Sequence, residues 1–315
     1  MFNQPTSQPL VSICIPSYNH QNYISKTIES IISQDYQNIE LIIIDDNSAD
    51  NSDAVINSFV EQCKARFVRF EYIKNIKNKG ISYNLNQAIK WAQGKYFYAI
   101  ASDDILMPFK TSLLVLEIEK LDDTYAAIFG DALFINDNGE QICTLSNGLI
   151  ILADSQQAKE NNDINITFLD VNTKEFNFDY KSPDFEITYA QILQGNYLPA
   201  MSCLIKIQCI KNVKNYTNGN AVEDLEMWLK LLQKYKFAFI NKPVAYYRWH
   251  SNNSMKIQTE KIFKAQLEIV NNQRNFAIKN GYENIFINRL KHLISVVSQY
   301  DKKCADFYLN LNKLK

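Results

Sequence analysis

The stretch IELIIIDDNSADNS, Ile39–Ser52, decides the fold. It opens as a nearly continuous apolar run and ends abruptly in Asp45 and Asp46. An apolar run of this type marks a strand covered on both faces, as in a parallel sheet. Ser48 and Asp50 then offer N-caps for a helix through about Cys63. Working outward, VSICIPSYN (11–19) reads as an earlier buried strand. It is followed by YISKTIESIISQ (23–34), whose Ile24, Ile28, Ile31 and Ile32 share a helical face. RFVRFEYI (66–73) is a third strand. ISYNLNQAIKWAQG (81–94) is a helix stopped by Gly94, and KYFYAIA (95–101) is a fourth strand. The order β-α-β-α-β-α-β predicts right-handed crossovers and an α/β fold: a Rossmann-like, mostly parallel central sheet with flanking helices.

After residue 130 the pattern loosens. AAIFGDALFINDNGEQI reads as a hairpin around Asn138-Gly139. Residues 146–185 are polar and irregular, the expected place for an insertion. A helix near 186–194 and a strand MSCLIKI follow. AVEDLEMWLKLLQKY is an amphipathic helix with Leu225, Trp228, Leu229 and Leu232 on one face. FAFINKPVAYYRWH supplies one or two short strands. From Met255 the chain reads as helical, about 256–279, then 283–299, then a short terminal piece. The expected division is therefore 1–255 as one domain, in two halves (about 9–130 and 131–255), and 256–315 as a helical extension.

The bulk numbers exclude several classes. At 315 residues, 46% hydrophobic and 12% aromatic, the chain buries a substantial core. A net charge of −1 gives no global attraction to nucleic acid. From Lys256 onward eleven Lys/Arg face five Asp/Glu, so this tail carries about +6. Such a tail contacts anionic lipid, a partner or only solvent. The six cysteines form no C-x-x-C pair and read as free thiols in a reducing compartment. MFNQPTSQPL lacks the blocks of a signal peptide, and no apolar run approaches the roughly 20 residues that span a bilayer. The expected location is cytoplasmic, with peripheral contact at the inner face of the membrane.

In an open α/β sheet, ligands gather at the carboxyl ends of the strands. Three early strands end in polar clusters: Pro16-Ser17-Tyr18-Asn19, Asp45-Asp46-Asn47-Ser48 and Ser102-Asp103-Asp104. Carboxylates there either accept hydrogen bonds from a base or ribose, cap the following helices, or hold Mg²⁺ or Mn²⁺. No Walker A sequence is present, and no G-x-G-x-x-G follows the first strand.

The stretches VSICIPSYNHQNYISKTIESIISQDYQNIELIIIDDNSADNS and NKGISYNLNQAIKWAQGKYFYAIASDDILMP resemble the opening of family-2 glycosyltransferases, which have the GT-A fold. GNYLPAMSCLIKI, VEDLEMWLKL and YYRWHSNNSM follow in that family's order, so the resemblance covers about residues 9–255. It implies an inverting, nucleotide-sugar-dependent transferase, with a UDP-sugar as donor and Mn²⁺ or Mg²⁺ as cofactor. The implied acceptor is a glycan or lipid-linked glycan, as in bacterial surface polysaccharide or lipopolysaccharide synthesis. The resemblance assigns Pro16, Tyr18, Asp46 and Ser48 to the base and ribose, and Gly80 and Asn86 to the segment closing over the nucleotide. Asp103 and Asp104 match the metal motif, with Asp104 as the direct ligand and Asp103 beside the nucleotide. His250 matches a histidine holding metal or diphosphate. Asp224 matches the general base, and Glu223 and Trp228 fall at the acceptor. Trp228 equally suits the core face it shares with Leu225 and Leu232, and Glu223 suits a plain helix N-terminal charge. His20 and His292 read as surface residues.

Two positions depart from the family pattern. Ala101 stands where an additional Asp is common, and Leu85 stands where an Arg often precedes the matched Asn86. Other donors must then meet the diphosphate. Two alternatives remain at this stage. A sugar nucleotidyltransferase would want a Gly-rich, basic loop after the first strand, which PSYNHQNY lacks. A non-catalytic glycan-binding protein would keep the fold without the base.

Overall fold

The computed structural model describes residues 8–313, apart from 146–147, 161–163, 175, 177–178, 183–184 and 254–256. Four strands, β1 (Val11–Ser17), β2 (Ile39–Asp45), β3 (Arg69–Lys74) and β4 (Tyr96–Ala99), pair in parallel in the order β3-β2-β1-β4. Every residue of β1 and β2 is buried, as the continuous apolar runs require. The connecting helices are α1 (Ile24–Ile32), α2 (Ser52–Arg66) and α3 (Ile81–Trp91). These strands therefore deliver their carboxyl ends to one edge, as expected.

The glycine expected to stop α3 acts differently. The helix ends at Trp91, and Gly94 lies against the neighbouring strand. A Cβ there would come within 2.5 Å of Ser12 Oγ and 2.8 Å of Leu10 O. Its amide donates to Ser12 Oγ and to buried Glu40. Close backbone approach, rather than a left-handed cap, is what requires glycine here.

Beyond β4 come β5 (Ile105–Leu106), α4 (Lys110–Ile118) and the long β6 (Tyr125–Ile135), which pairs with β7 (Gln141–Leu145) as the expected hairpin around Gly139. The irregular segment 146–185 contains short elements: β8 (Ile150–Leu152), α5 (Gln156–Glu160), β9 (Ile164–Asn165) and α6 (Phe168–Asn172). Then follow α7 (Tyr189–Gln194), β10 (Cys203–Lys206), α8 (Ile207–Asn212), α9 (Glu223–Leu232) and β11 (Lys236–Arg248). The last is one strand rather than two. Its register on β6 slips around Pro243, which has no N–H to extend the ladder. β10 runs antiparallel between β4 and β6, so the sheet is mixed but mostly parallel near the site.

The tail forms α10 (Thr259–Asn272), α11 (Arg274–Lys279), α12 (Glu283–Val297) and α13 (Lys302–Asn312). The boundary drawn at Met255 lies outside the described residues. Leu267, Ala277, Leu290 and Val297 are fully buried and continuous with the core of the sheet. The Tyr189 ring of α7 packs on Phe276 and Tyr282. On α13, Phe307 and Leu311 are exposed, on the basic tail whose expected contact is anionic lipid, a partner or only solvent. Among the described residues no helix is long and apolar enough to cross a membrane. All six cysteines are free, five of them buried.

Candidate active site

The carboxyl edge of the sheet opens into a cavity of about 900 Å³. Each strand end enters it through a turn that its own polar residues hold. After β1, Asn19 takes a left-handed φ of 56°, a conformation Asn tolerates better than most residues. The loop is strapped to the start of α2: the Asn19, His20 and Gln21 amides donate to Ser48, Ser52 and Asp50. Pro16 and Tyr18 line the cavity, and Tyr18 is 47% exposed to it and to solvent. Ser48 does not line it; its hydroxyl donates to Asp45 and braces the turn.

Asp46, at the end of β2, lines the cavity and accepts three hydrogen bonds: from Asn75 Nδ2 at 2.8 Å, the Lys79 amide at 2.8 Å and the Gly80 amide at 2.7 Å. Gly80 has a φ of 83°, which favours glycine. Asp46 therefore pins the segment that enters α3. Asn86 is not in the cavity. It pairs with both the amide and the carbonyl of Tyr216 and with Asn218. Asn84, which accepts from Asn75, occupies the cavity side instead. The nucleotide assignment of Asn86 is corrected accordingly: it clasps the 216–218 loop.

At the end of β4 the two carboxylates diverge. Asp103 Oδ2 lies 2.9 Å from His250 Nε2 and 3.8 Å from His20 Nε2. Asp104 is 1% exposed, and its Oδ1 accepts the Arg248 amide at 2.9 Å. Arg248 Nε donates to the Asp103 carbonyl, so β11 holds the turn rigid. Burial pushes Asp103 upward, but the hydrogen bond with His250 and the nearby His20 outweigh it and hold it below the usual carboxylate range. Burial and the charge of Asp103 push Asp104 well above that range. Burial and the adjacent like charge thus both disfavour ionising Asp104 alongside Asp103.

The described residues contain one grouping whose ligand atoms all lie within 4.8 Å of one another: His20, Asp103 and His250. One carboxylate oxygen and two imidazole nitrogens suit Mn²⁺ and other first-row cations, with Mg²⁺ preferring oxygen alone. The set fits a divalent cation, but with Asp103 as the central ligand. Asp104, first in order from the sequence, is committed on one oxygen to the Arg248 amide. His20, which the sequence reading placed on the surface, is half-buried, and its Nδ1 is 2.7 Å from Ser102 Oγ. The strand-end rule that singled out Pro16–Asn19 stops one residue short of it.

Asp224 is the second residue of α9, partly buried. Its Oδ1 accepts the Leu225 amide and its Oδ2 accepts Asn196 Nδ2, both at 2.7 Å. Burial raises it above the ordinary Asp range, against the pull of those two donors. Glu223 is raised as well, by burial and then by Asp224. The Tyr247 hydroxyl is pushed up by burial and then by Asp104, Asp103 and Asp224, and Tyr247 lines the cavity. Asp224 and Glu223 do not themselves line the cavity. Trp228 does not reach it. Its indole is 2% exposed, edge-on to Phe129 and Phe237, because positions 225, 228 and 229 form the stripe of α9 that covers the sheet. Its acceptor assignment is withdrawn. The cavity has a further wall that the sequence placed outside the site: Ile257, Gln258, Lys261 and Ile262, at the start of the tail.

A family model described as Glycosyl transferase family 2 matches residues 12–182, just over half the chain. Asn196, Asp224 and His250 lie beyond that match. A glycosyltransferase of Rickettsia felis is 35% identical over 134 residues, covering 42% of this chain and 21% of the relative. The minor teichoic acid biosynthesis protein GgaB of Bacillus subtilis is 24% identical over 310 residues, 96% of this chain and 29% of its own length. The chain spans between about a fifth and a half of the length of the first curated relatives it matches. Among solved structures, S. aureus TarS 1-349 aligns with a TM-score of 0.60 at 14% identity, over 89% of this chain and 71% of that one. It is also known in complex with UDP and with UDP-GlcNAc. The mannosyltransferase PcManGT of Pyrobaculum calidifontis, solved with GDP-Man and Mn²⁺, aligns with a TM-score of 0.59 at 12% identity, over 99% and 83%. These structural likenesses establish the shared fold.

Proposed function

The chain belongs to glycosyl transferase family 2, and from that premise we propose that it moves a sugar from a nucleoside diphosphate donor, a UDP-sugar first, to a hydroxyl of a cell-surface polymer with inversion. The observation that carries the reading is convergence. Asp46 and Gly80 at one strand end and Asp103 with His20 and His250 at another line one cavity, and the charge of Asp224 on α9 is felt by Tyr247 in its wall.

The base and ribose occupy the side formed by Pro16, Tyr18 and the Asp46–Gly80 clamp. Asp103, His20 and His250 would hold Mn²⁺ or Mg²⁺. When bound, the cation supplies Lewis-acid stabilisation of the leaving diphosphate. Asp224 takes the proton of the acceptor hydroxyl as its oxygen bonds to the anomeric carbon. The bond from that carbon to the diphosphate breaks on the opposite face, and the nucleoside diphosphate leaves. Asp224 suits this task because its raised affinity for a proton brings it toward neutral pH. A UDP-sugar is favoured by the complexes known for TarS, and a teichoic acid as the acceptor class by the name of GgaB. GDP-Man with Mn²⁺, known for PcManGT, is the competing donor.

A thermal-shift panel of UDP, GDP, UDP-GlcNAc and GDP-Man, with and without Mn²⁺, tests the donor assignment. A UDP-sugar at ~100 Kd stabilises the protein by about 2.7 kcal/mol, and more with Mn²⁺ than without. Stabilisation by GDP ligands alone would replace the donor. Stabilisation by none of them at millimolar concentration would remove the nucleotide-sugar reading.

A further inference from the structure

Asp224 is not set by its own helix alone. Asn196, two residues past the end of α7, donates to Oδ2 at 2.7 Å. The Oδ1 of Asn196 is buried and has no partner among the described residues. An unmet buried acceptor costs roughly 1–3 kcal/mol. The amide nevertheless faces this way, because the reverse orientation would set its oxygen against the carboxylate.

The same two helices are joined again at their other ends. Gln273, buried between α10 and α11, accepts on Oε1 from the Tyr189 hydroxyl at 3.2 Å and from Gln233 Nε2 at 2.8 Å. Its own amide donates to the Ile269 carbonyl. Tyr189 begins α7 and Gln233 caps the end of α9. The two helices thus run in opposite senses with one bridge at each end, Gln273 at one and Asn196–Asp224 at the other. The stacking of Tyr189 on Phe276 and Tyr282 seats the far bridge in the C-terminal helices.

We propose that Asn196 and the C-terminal helical extension, acting through Gln273, are positioning elements for the Asp224 carboxylate. This rests on Asp224 being the base. Gln273 fixes the spacing of α7 and α9, and Asn196 converts that spacing into one orientation of the carboxylate. The tail, which lies outside the family match, is then part of the catalytic apparatus rather than an appendage.

The charge of Asp224 is felt by Glu223 on α9, Tyr216 from the preceding loop, Tyr247 on β11 and Cys203 on β10. The Leu225 and Asn196 N–H groups are what counter its burial. Loss of the Asn196 donor therefore raises the proton affinity of Asp224, and the acidic limb of activity moves to higher pH.

The test uses full-length protein, UDP release from UDP-GlcNAc with Mn²⁺ across pH, and NMR of ¹³C-carboxyl-labelled aspartate without substrate. The Asp224 resonance is identified by its loss in Asp224→Asn. Asn196→Ala lowers kcat about 10- to 100-fold with KM for UDP-GlcNAc unchanged, moves the acidic limb upward, and raises the Asp224 titration midpoint. Gln273→Met shifts the same three readouts in the same direction by less. An inactive Asp224→Asn alongside an Asn196→Ala with unmoved limb and midpoint would overturn the inference and leave the base in place. Normal turnover by Asp224→Asn would overturn the base assignment itself.

Discussion

Asp224→Asn lowers turnover about 10²–10⁴-fold, the range typical for loss of a positioned base, while UDP binding stays at the wild-type level. The substitution is isosteric, and its oxygen still accepts the Leu225 amide. The new NH₂ would oppose Asn196 Nδ2, but Asn196 can turn its unpartnered Oδ1 toward it. Folding is therefore preserved and the loss is chemical. In the wild type the base acts only when ionised. Burial holds its proton more tightly than an ordinary Asp, so activity falls on acidification at a pH above the normal Asp range. Steady-state UDP release against pH, paired with calorimetry of UDP binding, measures both halves. Equal losses of binding and turnover would mean that Asp224 holds the nucleotide instead.

Asp103→Ala removes Mn²⁺ binding and, with it, turnover by about 10²-fold or more, since Lewis-acid stabilisation is worth several kcal/mol. Among the described residues, Asp103 is the carboxylate whose oxygen lies near both His20 and His250. Asp104→Asn is the internal comparison. It can still accept the Arg248 amide, and it has a smaller effect on Mn²⁺ affinity. Titration of free Mn²⁺ by electron paramagnetic resonance reads the affinity directly, without turnover. The reverse ranking, with Asp104→Asn the more damaging, would restore the order expected from the sequence.

Much of this site is legible in the chain because strand ends are legible. Continuous apolar runs that stop at Asn19, Asp46 and Asp103 announce both the parallel sheet and the edge where ligands collect. Gly80 announces itself through backbone conformation. What sequence spacing does not resolve is which side of an element faces the cavity. Asn84 and Asn86 are two residues apart on α3, roughly 200° around the helix, and only packing decides between them. Trp228 satisfies the apolar stripe and the acceptor pattern equally until the sheet beneath it is in place. Asp103 and Asp104 look interchangeable until Arg248, 144 residues beyond Asp104, claims one of them. Asn196 and Gln273 carry no local signal. Their roles exist only as pairings between α7, α9 and the tail.

The most direct test of the central claim is the anomeric configuration of the product. Proton NMR of turnover on UDP-GlcNAc, whose sugar is α-linked, follows the anomeric signal of the transferred residue in real time. Direct displacement with Asp224 as base yields the β-linked product. An α-linked product would contradict it, because retention cannot come from a single displacement.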